Sequence, residues 1–243
     1  PKLANEIRLA KVFARANKFY GAESYIKGVS GYVLEILVSK YGSFTKFAKN
    51  ASKWKSKTVI GKLKEAQRLN WAKKLSPLII IDPVQPDRNA AAALSNEQYK
   101  NIIKFSKKFT KSPSESLFEQ QPININKFKK KGNLTIVEVQ PVKGKKDVSG
   151  AKALKAFEFI VKHSKNYEIA DSLFDYGEIL TTYYIVTNKN KISNEYKHYG
   201  PPLDNKKALV QFKKTNKLPI KTDRKLKKYY VIKKRENNKI RDH

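Results

Sequence analysis

With 243 residues, of which 40% are hydrophobic and 11% aromatic, the chain can bury one large core or two ordinary ones, and two are expected. A formal net charge of +31, shared almost evenly by the stretches before and after Phe118, points to a long polyanion, nucleic acid first, and excludes a basic tail as the source of the charge. The absence of cysteine excludes disulfides and thiolate zinc sites, and His163, His198 and His243 are too scattered for a metal cluster.

From Leu3 to Phe19, apolar residues at Leu3, Ile7, Ala10 and Ala14 recur at helical spacing. On its polar side Arg8, Lys11, Arg15 and Lys18 are spaced by three, four and three residues and form one stripe. Such a stripe is either a solvated basic face or a surface for phosphates, and the lack of interleaved acidic residues along it favours phosphates. Tyr20 and Gly21 end the helix, the glycine suiting a left-handed residue.

Ser30 is placed to cap a second helix, apolar nearly all round from Tyr32 to Val38 and ending at Gly42, which predicts the centre of the first core. Glu35 is its one carboxylate and is expected in an ion pair or hydrogen-bonded to backbone. A third helix follows Ser43, with Phe44, Phe47, Ala48, Ala51 and Trp54 inward. Lys55 to Lys74 is basic and weakly patterned, an exposed helix or a long connection.

The stretch Ile79 to Ser95, IIIDPVQPDRNAAAALS, joins a short apolar run to a helix start. Pro83 and Pro86 fix two φ angles, Asp82 and Asp87 suit a turn and a cap, and the Ala-rich run Asn89 to Leu94 has high helix propensity. Arg88 would then lie in a first helical turn, where the macrodipole does not favour a cation. Ser95 with Gln98 makes a capping-box signature before Tyr99, Ile102, Ile103, Phe105 and Phe109.

Glu119 to Gly132 reads as a polar connection to a second domain. Its elements are a strand at Leu134 to Val139, a helix at Ser149 to His163, a hairpin of Glu168 to Asp175 with Ile179 to Thr187, a turn at Gly200 to Pro202, a helix capped by Asp204, and a last strand at Leu226 to Ile232. Lys152, Lys155 and Lys162 give the first of these helices a second basic face. The order β-α-β-β-α-β is that of ferredoxin-like and RNA-recognition-motif-like domains. No RNP signature accompanies it, and the paired tyrosines Tyr183, Tyr184, Tyr229 and Tyr230 place one ring on each face of their strands, as packing alone would do.

Two motifs, RLAKVFARANKFYGAESYIKGVSGYVLEILVSKYGSF and IIIDPVQPDRNAAAALS, followed by SLF at Ser116 to Phe118, resemble the central helical domain of archaeal (class I) CCA-adding enzymes, the tRNA nucleotidyltransferases. The resemblance continues more weakly through LTIVEVQPVK, AFEFIVKH and HYGPPLDNKKALVQFKK. It implies an α+β chain: a helical domain like those of poly(A) polymerases and oligoadenylate synthetases over residues 1–118, then a tRNA-binding α/β body over 119–243 with a short basic extension. It further implies that Lys11 and Tyr20 contact the triphosphate of incoming CTP or ATP and that Arg88 helps recognise the base.

The family's catalytic domain, with its Gly-Ser motif and metal-binding carboxylates, has no counterpart in the sequence. Nucleotidyl transfer needs clustered carboxylates to hold paired magnesium ions, and acidic residues are sparse here. The expected role is therefore the nucleotide- and tRNA-binding portion of a split or excised CCA-adding enzyme, inactive alone. A separate nucleotidyltransferase chain would bind Mg2+, and catalytic and metal residues are expected to be absent from this one. The alternative is a stand-alone RNA-binding protein that keeps the fold without selecting nucleotides. No run approaches the roughly 18–20 apolar residues of a spanning helix, no leader pattern opens the chain, and a start at Pro1 fits initiator removal or excision. A cytoplasmic protein without a membrane partner is expected.

Overall fold

The structure, a computed structural model, describes residues 2–235. The basic extension expected at Glu236 to His243 lies outside the described residues. In chain order the first part contains α1 (Lys2–Ala16), α2 (Gly31–Tyr41), α3 (Phe44–Ala51), β1 (Thr58–Ile60), α4 (Leu63–Arg68), β2 (Leu78–Ile80) and α5 (Asn96–Lys111), with a 3-10 turn at Glu115–Phe118. The second part contains α6 (Ile125–Lys129), β3 (Asn133–Val139), α7 (Lys146–His163), β4 (Ile169–Asp175), β5 (Thr181–Thr187), β6 (Glu195–Pro202), α8 (Lys206–Thr215), β7 (Lys221–Asp223) and β8 (Lys228–Lys234). The chain is α+β. Two compact units share it: one combines the residues up to Asn124 with Pro141–Leu154, the other combines Ile125–Gln140 with the chain from Lys155 onward.

The first unit is built around phenylalanine. Phe13 of α1 meets Phe44 of α3, Phe109 of α5 and Phe118 with ring centroids 5.2, 6.0 and 5.5 Å apart. Against this cluster α2 buries Val33, Leu34, Leu37 and Val38. The caps are those the sequence announces: Ser30 and Ser43 accept from Val33 and Lys46, and Gly42, at φ 84°, donates to Val38. Ser95 accepts from Gln98, but the Gln98 amide turns away to the carbonyls of Lys18 and Ile26, so only half of the capping box forms.

Several expectations about the first unit fail locally. Helix α1 stops at Ala16, and Lys18 follows in a left-handed conformation at φ 58°, so the basic stripe loses its last member and Gly21 is not the helix terminator. Lys55 to Lys74 is neither one helix nor a plain connection: β1 pairs in parallel with β2, register Thr58 with Leu78, and α4 follows. Tyr99 secures β1 to α5, its hydroxyl 2.6 Å from the Lys55 carbonyl and 2.8 Å from Thr58 Oγ1.

Asn89 to Leu94 is not a helix. Asn89 is buried and bridges to Ile81, while its side chain accepts from Ile80 and Ala91 and donates to the carbonyls of Lys73 and Leu78. Satisfying those buried backbone groups outweighs alanine's intrinsic preference for helix. Asp87 consequently caps nothing and pairs with Lys73 at 3.4 Å on the surface.

In the second unit the strands form two three-stranded antiparallel sheets, ordered β3-β5-β4 and β6-β8-β7, rather than one β-α-β-β-α-β sheet. Gly200 to Pro202 belongs to the end of β6, an edge strand where prolines cost no ladder bond. Asn205, not Asp204, caps α8 by accepting from Ala208. Phe157 of α7 packs on Phe174 and Tyr183, ring centroids 5.7 and 5.4 Å away, to form the core of the first sheet.

Candidate functional site

The residues singled out as nucleotide-binding gather around the first turn of α2. Lys11 reaches across from α1 and places its ammonium 2.7 Å from Glu35 Oε1. Glu35 is thus the ion-pair partner the sequence led one to expect, but it is half-exposed rather than buried. Tyr20 forms an isolated bridge with Val29, which brings its ring back toward α2. Both side chains converge on Gly31: a Cβ there would stand 3.1 Å from the Tyr20 hydroxyl and 3.6 Å from Lys11 Nζ. An ammonium, a phenolic hydroxyl and the positive end of an eleven-residue helix therefore face one small volume, the donor set that suits an anion.

The remaining stripe residues flank this point. The Arg15 guanidinium lies 4.5 Å from the centre of the Tyr20 ring, a cation–π contact that fixes the ring. Arg8 donates to Asn5 one turn earlier on the exposed side of α1. Glu6, on the same helix, accepts from the Phe44 amide at 2.7 Å and so holds the start of α3 instead of relieving the stripe. Lys18, beyond the helix end, is not brought to the site by α1. Lys152, Lys155 and Lys162 are all exposed on α7.

Arg88 is joined to the site through two residues that sequence reasoning did not assign. The turn Asp82 to Arg88 is closed by the Asp82 amide on the Arg88 carbonyl and the Arg88 amide on the Gln85 carbonyl. Inside it the buried Asp82 carboxylate accepts from the Tyr32 hydroxyl at 2.7 Å and from the amides of Val84 and Gln85. Its second oxygen lies 3.6 Å from Arg88 Nη1, and the Arg88 side chain remains 56% exposed. The guanidinium is thus anchored by one nitrogen and offers its other donors outward.

Burial alone would raise the Asp82 pKa; the Tyr32 hydroxyl, the two amides and the Arg88 charge outweigh it and hold the carboxyl below its ordinary value. Tyr32 moves the other way: the hydrogen bond to Asp82, then burial, push its hydroxyl up. The one sequence signal for this pair was a tyrosine at the start of an otherwise apolar helix. Beside it lies a cleft of about 640 Å³, walled by Ile36, Ile60, Ile81, Pro83, Val84 and Pro86 and rimmed by Glu35, Lys40, Lys62 and Glu65.

These residues do not suit magnesium. Among the described residues no three His, Cys, Asp or Glu side chains converge, and Asp82 is engaged by four donors of its own. Nor is any helix among them long and apolar enough to cross a membrane.

Residues 5–119 match the family described as tRNA nucleotidyltransferase, second domain. Proteins named CCA-adding enzyme are similar over more of the chain: that of Picrophilus torridus is 31% identical across 94% of this chain and 51% of its own length. That of Nanoarchaeum equitans is 33% identical across 82% and 51%, and that of Archaeoglobus fulgidus 29% identical across 88% and 50%. The chain thus spans about half the length of these relatives, and their similarity to it extends past the second domain into the two-sheet region. Residues 5–119 thus carry the second domain of the tRNA nucleotidyltransferases, and the chain as a whole is similar to about half of each of these archaeal CCA-adding enzymes.

Proposed function

We propose that this chain supplies the nucleotide-facing wall and the tRNA-binding surface of CCA addition, while a nucleotidyltransferase domain outside the sequence supplies the catalytic carboxylates and the magnesium ions they hold. The helical domain, residues 1–118, takes the incoming CTP or ATP, and the body, residues 119–243, takes the tRNA. The observation that carries the reading is the convergence of Lys11, Tyr20 and, through Asp82 and Tyr32, Arg88 on the first turn of α2.

In this arrangement Lys11 exchanges Glu35 for phosphate oxygens, Tyr20 donates its hydroxyl to the same group, and Arg88 presents a planar fork of donors to the base. Charge-assisted bonds of this kind are the strong ones in a polar site. Arg8, Arg15 and Lys18, the last from beyond the end of α1, present positive charge to the tRNA backbone together with Lys152, Lys155 and Lys162.

The test is reconstitution. This chain is mixed with a separately made nucleotidyltransferase domain of the family and a tRNA lacking its CCA end, and incorporation of labelled CTP and ATP is followed. Addition well above that of the catalytic domain alone is the expected result, with none from this chain by itself. If the mixture incorporates no more than the catalytic domain, the proposal fails.

A further inference from the structure

The two sheets of the second unit repeat one plan. Each is a strand–helix–strand–strand run whose last strand lies in the middle, antiparallel to both neighbours: β3-α7-β4-β5 gives β3-β5-β4, and β6-α8-β7-β8 gives β6-β8-β7. Each middle strand carries a tyrosine pair, Tyr183-Tyr184 in β5 and Tyr229-Tyr230 in β8. Because neighbouring residues on a strand point to opposite faces, one tyrosine of each pair faces away from the helix of its repeat. In the first repeat that ring, Tyr184, is covered by Phe128 of α6, stacked at 5.8 Å with 16° between planes.

The second repeat has no such stacked cover among the described residues. Helix α8 packs on the inner face, where Phe212 lies on His198, 5.9 Å between ring centroids. The opposite face presents Tyr230, Tyr199 directly across from it on β6, and Lys221 directly across on β7. The two tyrosine rings are 5.8 Å apart, and the Lys197 ammonium sits 4.7 Å over Tyr230. Asp223 accepts from the Tyr199 hydroxyl at 3.0 Å and from Lys197 at 3.3 Å, so ring and ammonium are held before any ligand arrives. Tyr199 remains 38% exposed, and Lys228 and Lys234 are exposed on the same face of β8.

We propose that this uncovered face binds single-stranded RNA, an unpaired base stacking on Tyr199 while Lys197, Lys221 and Lys228 hold the flanking phosphates. Aromatic rings interleaved with lysines are the arrangement that takes a base and its backbone together. A duplex, whose bases are already stacked, would use the lysines alone. The proposal deepens the RNA-binding part of the function proposed above, but its measurement involves no nucleotide addition, so either reading can fail while the other stands.

The test uses the full chain and a labelled single-stranded RNA of about a dozen nucleotides, with the same sequence in a duplex as the control. Base–aromatic stacking predicts that Tyr199→Ala weakens single-strand binding roughly tenfold and leaves duplex binding within about twofold. Tyr199→Phe, which keeps the ring, retains most of the affinity, and this distinguishes loss of stacking from loss of folding. Equal losses on both RNAs, or no loss on either, overturn the proposal. So does single-strand binding that becomes insensitive to Tyr199→Ala once Glu236 to His243 are removed, since the chain's own terminus would then account for the effect.

Discussion

Asp82 is the residue on which the position of Arg88 depends. A carboxylate with a folded pKa below its ordinary value of 3.8 contributes stability that is complete above that value and is lost as pH falls through the lower, folded one. Asp82→Asn keeps the shape but removes the charge facing Arg88. The variant should be less stable than the parent by about 1–3 kcal/mol at neutral pH, the cost of weakening bonds around a buried charged group. The gap should begin to close as the pH drops below 3.8 and vanish below the lower folded value, where the folded parent protonates Asp82 as well. Urea titrations of both proteins across that range measure the difference directly; a constant gap would mean that the charge has no part in holding the turn.

The same residue shows what could and could not be read in advance. Arg88 stood out because a cation suits the start of a helix poorly, but no helix starts there. Its placement follows from a buried carboxylate 3.6 Å away in the same turn, and Asp82 read only as a turn former. Lys11 and Glu35, 24 positions apart in the chain, became a pair only through the packing of α1 against α2. Contacts across that separation leave no periodic trace in the sequence. The resemblance to a known family could name Lys11, Tyr20 and Arg88 together, but not Tyr32, which ties Arg88's anchor to α2.

At the scale of elements, helices with one apolar face and a side-chain cap were legible. The caps at Ser30, Ser43 and Ser95 all form, and α1, α2, α3 and α5 lie where periodicity places them to within a few residues. Short strands were not. β1 and β7 have three residues each, too few for alternation to register, and β6 ends in prolines that read as a turn. The paired tyrosines were visible as residues, whereas the repeat to which they belong required the strands β6 and β7 as well.

The helical unit should respond sharply to loss of its central ring. Phe13→Ala removes a fully buried side chain in contact with Phe19, Phe44, Phe109 and Phe118, and should cost about 3–5 kcal/mol in a denaturant titration. Phe159, 62% exposed on α7, provides the contrast: its replacement by alanine should change stability by less than about 0.5 kcal/mol. Similar losses at both positions would show that the aromatic cluster is not the core that holds α1, α3 and α5 together.

For the whole molecule, a charge of +31 with positive residues in both halves would attract a polyanion. General attraction to phosphate does not choose a nucleotide, and it weakens uniformly with salt. The function proposed above asks more: Lys11, Tyr20 and Arg88 would form one wall of a nucleotide site, while other residues would hold tRNA. The most direct test is to determine KM for CTP, ATP and tRNA in the reconstituted reaction for the parent chain and for Lys11→Ala, Tyr20→Ala and Arg88→Ala. Losing a charge-assisted contact to substrate should raise the nucleotide KM about tenfold or more for Lys11→Ala and Arg88→Ala. Tyr20→Ala should give a smaller rise, and the tRNA KM should stay within about twofold throughout. Variants that shift both KM values together, or neither, would contradict the account.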